Sequence, residues 1–399
     1  MQKLMGLLLV LFLSLSLFSC GKQRLWVKGK VHQKVFNQEI PIQVINGLIF
    51  LEVAINGKAY NFLLDTGAPT LLDTQVVQAL GLKTKKFGTA TDSYGRSNRI
   101  DYTVLKTVSI SGVDFLRQGA LVSDLRSIPV FDCLDVDGLL GANLMRSACW
   151  QIDYEAEVLR VSEDCSGFSY TDEAIYMPFR VNSQGTPKLA MNFGDSLDLS
   201  YVTLDFGSSS GLSLDLEASA RIFDPAEADL FTTGAAGVGL YGVEKDSIWF
   251  TSPEALVVAE GDTLFSMLRV RVRRKGGHLF GTQILQEFRS TIDWQNHQLV
   301  LEPIGENLSP VWLNFGCALQ PNGEVLEVGQ LVYPSGAVEA GLMVGDTVLT
   351  INSQPVYATD FCEARTLFGG AGPIKLTIQR QGNKQNVVLR RQDLFSTAK

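Results

Sequence analysis

The chain repeats itself, and the repeat limits the possible folds more than any other feature. Phe62-Leu63-Leu64-Asp65-Thr66-Gly67-Ala68 has the same shape as Val202-Thr203-Leu204-Asp205-Phe206-Gly207-Ser208. Leu139-Leu140-Gly141 corresponds to Leu279-Phe280-Gly281, and Gln151-Ile152-Asp153-Tyr154 to Thr291-Ile292-Asp293-Trp294. All three pairs share one offset of 140 residues (65 to 205, 141 to 281, 153 to 293). A period this long describes a duplicated lobe rather than a solenoid unit.

Each copy reads as mostly strand. Ile49 to Ile55, Thr107 to Ile110 and Val158 to Val161 are short apolar runs rich in β-branched residues and bounded by turn formers. Asn56-Gly57 between two such runs signals a tight hairpin, whose second strand delivers Asp65. Short helices are expected at Asp73 to Leu80 and Asn143 to Arg146. The expected lobes are residues 39–170 and 171–305.

Two carboxylates held close together share one proton, because both cannot ionise cheaply side by side. One then acts as base on a water while the other, protonated, polarises a peptide carbonyl. Each Asp must sit on a tight turn, with a glycine two residues later for close backbone approach. Asp65 with Gly67 and Asp205 with Gly207 meet that need. The Asp65-Thr66-Gly67-Ala68 loop resembles the active-site loop of retropepsin-like and pepsin-like aspartic peptidases. Leu139-Leu140-Gly141 and Leu279-Phe280-Gly281 resemble the family's second hallmark. The resemblance covers residues 40–305. It implies a mainly β, bilobal double β domain with a peptide-binding cleft, catalytic Asp65 and Asp205, and no cofactor or metal. It also implies flap tips, for which Ser93-Tyr94-Gly95 and Leu240-Tyr241-Gly242 are the candidates. In the second loop Phe206 stands where the first has Thr66, so the cross-loop hydroxyl implied by the family is missing on that side. Ser208 replaces Ala68 and is expected to hydrogen-bond Asp205. Two functions follow: an endopeptidase cutting peptide or protein substrates, or a peptide-binding envelope lipoprotein with a degenerate second loop. Asp153 and Asp293 read as hairpin-turn residues.

The first nineteen residues read as a signal peptide: Lys3, then the apolar run Leu4 to Leu13, too short for a membrane span. Ser19-Cys20-Gly21 resembles a bacterial lipobox, which implies lipidation of Cys20, a membrane anchor, and a place in the cell envelope on the periplasmic side or outer membrane. Residues 20–38 are the expected tether. Five further cysteines remain in a compartment that permits disulfides. Cys149 and Cys165 flank one hairpin and form the best candidate pair, and an odd count leaves a thiol free. A net charge of −8 gives no footprint for nucleic acid, and three histidines (His32, His278, His297) offer little for a metal.

From residue 306 to 395 the pattern changes. Pro334-Ser335-Gly336-Ala337-Val338-Glu339-Ala340-Gly341-Leu342, followed by Val344-Gly345-Asp346 and a strand ending at Ile351-Asn352, resembles a PDZ domain. Ala337, Ala340 and Leu342 bury one helix face, and Gly341 ends the helix. A second helix is expected near Asp360 to Phe368, and closing strands at Lys375 to Gln379 and Asn386 to Leu389. The resemblance implies an α+β unit that binds peptides, such as protein C-termini, along a sheet edge, with Phe315 and Gly316 in the carboxylate-binding loop.

Overall fold

A computed structural model describes residue 26 and residues 28–193, 197–251, 255–258, 263–266, 269–305, 313–370 and 372–395. The signal segment and Cys20 lie outside the described residues. The protein is mainly β. Among the described residues no helix is long and apolar enough to cross a membrane.

The same strand arrangement is built twice. In the first copy Leu48–Ile55 and Lys58–Asp65 form a hairpin whose turn residues Asn56 and Gly57 both have positive φ (53° and 76°). That conformation matches the right-handed strand twist, and Asn-Gly adopts it at little cost. Gly138–Gly141 lies parallel to the second strand, with Gly141 opposite Asp65. Phe62 and Leu64 pack into one apolar cluster and Leu63 into another on the opposite face, hence the unbroken apolar run before the aspartate. In the second copy Leu197–Asp205 pairs with Pro187–Phe193, and Leu279–Gly281 lies parallel to it with Gly281 opposite Asp205. Downstream, Leu71–Asp73 and Leu212–Asp215 each end in an aspartate that caps a short helix, Thr74–Ala79 and Leu216–Ser219.

The copies meet in a six-stranded antiparallel sheet ordered Asn37–Pro41, Val158–Ser162, Cys149–Asp153, Phe288–Asp293, Gln298–Pro303, Ile175–Val181. At its centre Gln151 lies opposite Thr291, and the Gln151 amide donates to the Thr291 hydroxyl at 3.0 Å. These are equivalent positions of the repeat, so the pseudo-two-fold axis passes between them. Asp153 accepts from the Ala156 N–H and Asp293 from Gln295 and Asn296, each holding its own turn. One hydrophobic cluster runs through both copies. Part of the expected tether is drawn into the fold: Trp26 packs edge-on against Phe87, Lys30–Val31 pairs with Val113–Ser123, and Phe36 is buried.

The C-terminal unit has its own hydrophobic cluster. Strands Cys317–Asn322, Val325–Tyr333, Thr347–Ile351, Ile374–Arg380 and Asn383–Leu389 accompany helices Gly336–Glu339 and Phe361–Gly369. Several contacts fasten it to the rest, among them an Arg269–Asp393 ion pair and an apolar cluster of Leu230, Val332, Leu394 and Phe395. Phe231 to Gly234 pair antiparallel with Gln330 to Tyr333, and Cys133 is disulfide-bonded to Cys362. A second disulfide joins Cys149 and Cys165, and Cys317 is a buried free thiol.

Candidate active site

Asp65 and Asp205 each end a buried strand, and the two carboxyl groups come within hydrogen-bonding reach of one another. Glycine is required where the loops face each other: a Cβ on Gly67 would lie 2.7 Å from the Asp205 carboxyl carbon, and one on Gly207 would collide with the Asp65 carboxyl group. The glycines of the second hallmark wedge against the same loops. A Cβ on Gly141 would lie 2.7 Å from the Ala68 carbonyl oxygen, and one on Gly281 would lie 2.7 Å from that of Ser208. The N–H groups of Ala142 and Thr282 then donate to those two carbonyls at 2.9 and 2.8 Å.

The loops differ in chemistry. Asp65 accepts from the N–H groups of Gly67 (2.9 Å) and Ala68 (3.0 Å), whereas Asp205 accepts only from Gly207 (3.0 Å). The Thr66 hydroxyl crosses the axis, donating to the Leu204 carbonyl at 2.6 Å and accepting from the Phe206 N–H at 3.1 Å. Phe206 returns no such bond and is fully buried in the core. Half of the cross-loop tether is therefore present. The Ser208 hydroxyl does not bond Asp205. It pairs with the Ser210 hydroxyl at 2.7 Å, because its side chain turns along its own loop.

Both carboxyls are pushed above the ordinary carboxylate range. Burial is the main cause at Asp65, the neighbouring Asp205 charge adds to it, and the pKa rises to about 8. Asp205 rises less, to about 6. Burial raises it, while the Gly207 N–H and the positive charges of Lys188 and Arg273 hold it down. The pair thus keeps one proton near neutral pH, resting mainly on Asp65. Lys188 and Arg273 have no counterpart in the family resemblance. Laying the second copy over the first would have found them, since both positions lack a charge in the first copy.

Two hairpin tips, one from each lobe, meet each other. The turn at Asp92 to Arg96 joins Lys85–Thr91 to Ser97–Ile110, and the turn at Leu240 and Tyr241 joins Leu230–Gly239 to Gly242–Lys245. The tips interlock. Arg96 donates to the Gly242 and Val243 carbonyls at 2.6 and 3.2 Å, and the Tyr241 hydroxyl donates to the Ala90 carbonyl at 3.1 Å. In the C-terminal unit Phe315 is buried against Phe368. The Gly316 N–H is taken by the Asn314 side chain at 2.9 Å, so neither offers a free group to a ligand in this conformation. Among the described residues no group of three or more His, Cys, Asp or Glu is placed to hold a metal.

Duplicated β lobes with two aspartate loops facing each other across a pseudo-two-fold axis define the class of this site. Residues 51–144, from the first strand through Gly141, match the family described as Aspartyl protease. Among solved structures, a retropepsin-like aspartic protease from Rickettsia conorii is similar at 24% identity over 33% of this chain and 95% of that one, with a TM-score of 0.26. No curated protein matches the chain.

Proposed function

We propose that the protein is an aspartic endopeptidase in which Asp65 and Asp205 share one proton. The carrying observation is the pair of facing carboxyls, Asp205 buried and Asp65 partly so, within hydrogen-bonding reach and with pKa values raised unequally. Asp205, the more acidic, takes a proton from water as the water oxygen attacks the peptide carbonyl carbon. Asp65 gives its proton to the carbonyl oxygen. Collapse of the tetrahedral diol passes a proton to the amide nitrogen and breaks the C–N bond, and no covalent enzyme intermediate forms. Thr66 ties the loops together across the axis, and Gly67 and Gly207 allow the carboxyls to approach.

The C-terminal unit is proposed to be PDZ-like and to bind extended peptides. Among the described residues the strand Cys317–Asn322 pairs on one side alone, with Val325–Tyr333, and its other edge faces the Phe361–Gly369 helix. Binding at Phe315 and Gly316 would require Asn314 to release the Gly316 N–H. The protein is further proposed to be anchored by lipid at Cys20 in a bacterial envelope. The two disulfides support an oxidising compartment.

The test is cleavage of an unfolded protein substrate. Asp65→Asn and Asp205→Asn are each expected to lower the rate by at least about 10³-fold, with circular dichroism unchanged. Variants as active as the parent would remove the proposal. Peptide binding without turnover by the parent protein between about pH 3 and about pH 8 would favour a binding protein that does not cut.

A further inference from the structure

Strand register aligns the two lobes residue by residue around the aspartates. In the first lobe Phe50 lies opposite Leu63, Leu71 opposite Leu139, and Leu121 beside Leu71. All are buried in one apolar cluster that also takes in Ala68 of the active-site loop. The same register in the second lobe puts Lys188 opposite Thr203, Ser213 opposite Leu279, and Arg271 beside Ser213. Phe50, Leu63, Leu71 and Leu121 are thus replaced by Lys188, Thr203, Ser213 and Arg271. Two residues further along the Arg271 strand, Ser123 is replaced by Arg273. One side of the dyad is walled by hydrocarbon, and its symmetry mate carries three cations.

These cations line the cleft rather than the outer surface. Arg271 reaches the Ala236 carbonyl and, at 3.5 Å, the Tyr94 hydroxyl. Arg273 is 3% exposed and donates to the carbonyls of Ser93 (3.4 Å) and Gly277 (2.5 Å). Its guanidinium stacks 5.2 Å above the Tyr94 ring. Both arginines therefore meet the first-lobe hairpin tip. The Lys188 ammonium donates to the Thr203 hydroxyl at 2.6 Å, and its charge acts on Asp205. Among the described residues none of the three forms an ion pair. The Nε–H groups of Arg271 and Arg273 are buried without any hydrogen-bond partner. A buried donor left unmatched is costly.

We propose that the second-lobe side of the cleft is a carboxylate-binding subsite, so that the enzyme cleaves next to a residue presenting a carboxylate. The inference rests on the peptidase reading. A carboxylate beside Arg271 and Arg273 would accept charge-assisted hydrogen bonds from the two Nε–H groups that are now unmatched. It would be rejected by the apolar wall of the other lobe, where it would lose hydration with no partner. The pseudo-symmetry then fixes which side of the scissile bond is acidic. Two sources share this chemistry: an Asp or Glu side chain within a chain, and the free end of a chain.

Amidated decapeptides differing only in a central Leu-Glu, Glu-Leu, Leu-Gln or Gln-Leu pair test the side-chain source. A fifth peptide, with the Gln pair placed last and a free C-terminus, tests the chain end. Glu in one of the two orders, or the free end, is expected to raise kcat/KM at least tenfold over the matched Gln amide. Arg271→Met is expected to bring that ratio close to one, and Arg271→Lys to preserve most of it. Reading a ratio cancels any general loss of activity from disturbing the hairpin tip. Equal cleavage of the Glu, Gln and free-end peptides would overturn the subsite while leaving the peptidase reading in place. Binding of the same peptides to Asp65→Asn, followed calorimetrically, reads the carboxylate preference without turnover. If no peptide is cut, equal affinity for Glu and Gln there would overturn the subsite on its own, and a retained Glu preference would uphold it while the peptidase reading falls.

Discussion

At the residue scale the unequal carboxyls set the pH response. Catalysis by a shared proton needs Asp205 ionised and Asp65 protonated, so the productive form lies between about pH 6 and about pH 8. The rate of peptide cleavage is expected to trace a bell centred near neutrality. Its acid limb marks protonation of Asp205 and its alkaline limb loss of the Asp65 proton. An optimum below pH 4 would show that burial does not raise the two carboxyls as described. The same shifts set a stability trend. In an unfolded chain both groups would titrate near 3.8. Above that pH the folded state binds more protons than the unfolded one, so their stabilising contribution is complete below pH 3.8 and is lost as pH rises through 6 and 8. Asp65→Asn removes most of this loss. Its Tm is expected to exceed that of the parent by several degrees at pH 8 and by much less at pH 5. Thr66 is the other sensitive residue. Thr66→Val deletes two buried hydrogen bonds that join the lobes and is expected to cost about 1–3 kcal/mol in denaturant unfolding.

At the element scale, local pattern made some parts of the fold legible and left others hidden. The Asn56-Gly57 hairpin, the helix at Thr74–Ala79 and the helix at Phe361–Gly369 follow from turn residues, an aspartate cap and apolar spacing, all local signals. The strand Ser97–Ile110 was legible only at its end, because its first half carries polar residues that form a hairpin arm over the cleft instead of packing in a core. The expected Ser208 contact with Asp205 failed for a similar reason: rotamer direction is set by loop geometry, which residue type does not reveal. Both tips were named from their Gly-containing turns, but their interlock could not be read, since Arg96 and Gly242 meet only through tertiary folding. Their interlock has a kinetic consequence. On the peptidase reading proposed above, a substrate parts the tips before reaching the aspartates, and Arg96 supplies two of the bonds that close them. Arg96→Ala is expected to raise the association rate of a peptide inhibitor severalfold in stopped-flow measurements, with little change in Tm. An unchanged rate would mean that peptides enter past closed tips.

At the scale of the whole molecule the repeat was the most informative signal, and its limits are equally instructive. It placed both aspartates and the two central strands of the junction sheet, because symmetry turns one local motif into two long-range contacts. It could say nothing of the C-terminal unit, which has no counterpart in the other copy. Two of the contacts that fix that unit are a strand pairing and a disulfide. The strand Leu230–Gly239 pairs with Val325–Tyr333 before running on to the second hairpin tip, and Cys362 on the Phe361–Gly369 helix is bonded to Cys133 of the first lobe. Gly234 enables the first link: its φ is 95°, and a Cβ there would run into the Gly329 carbonyl. The disulfide spans 229 residues, so breaking it frees a long stretch of the unfolded chain. The double variant Cys133→Ser, Cys362→Ser is expected to lose about 2–4 kcal/mol. Its calorimetric trace should divide in two, with the C-terminal unit, which has its own core, melting apart from the lobes. A single transition at an unchanged Tm would instead assign the union of the three parts to the noncovalent contacts, the strand pairing chief among them. In that case Gly234→Ala, which obstructs the pairing, should be the variant that divides the trace.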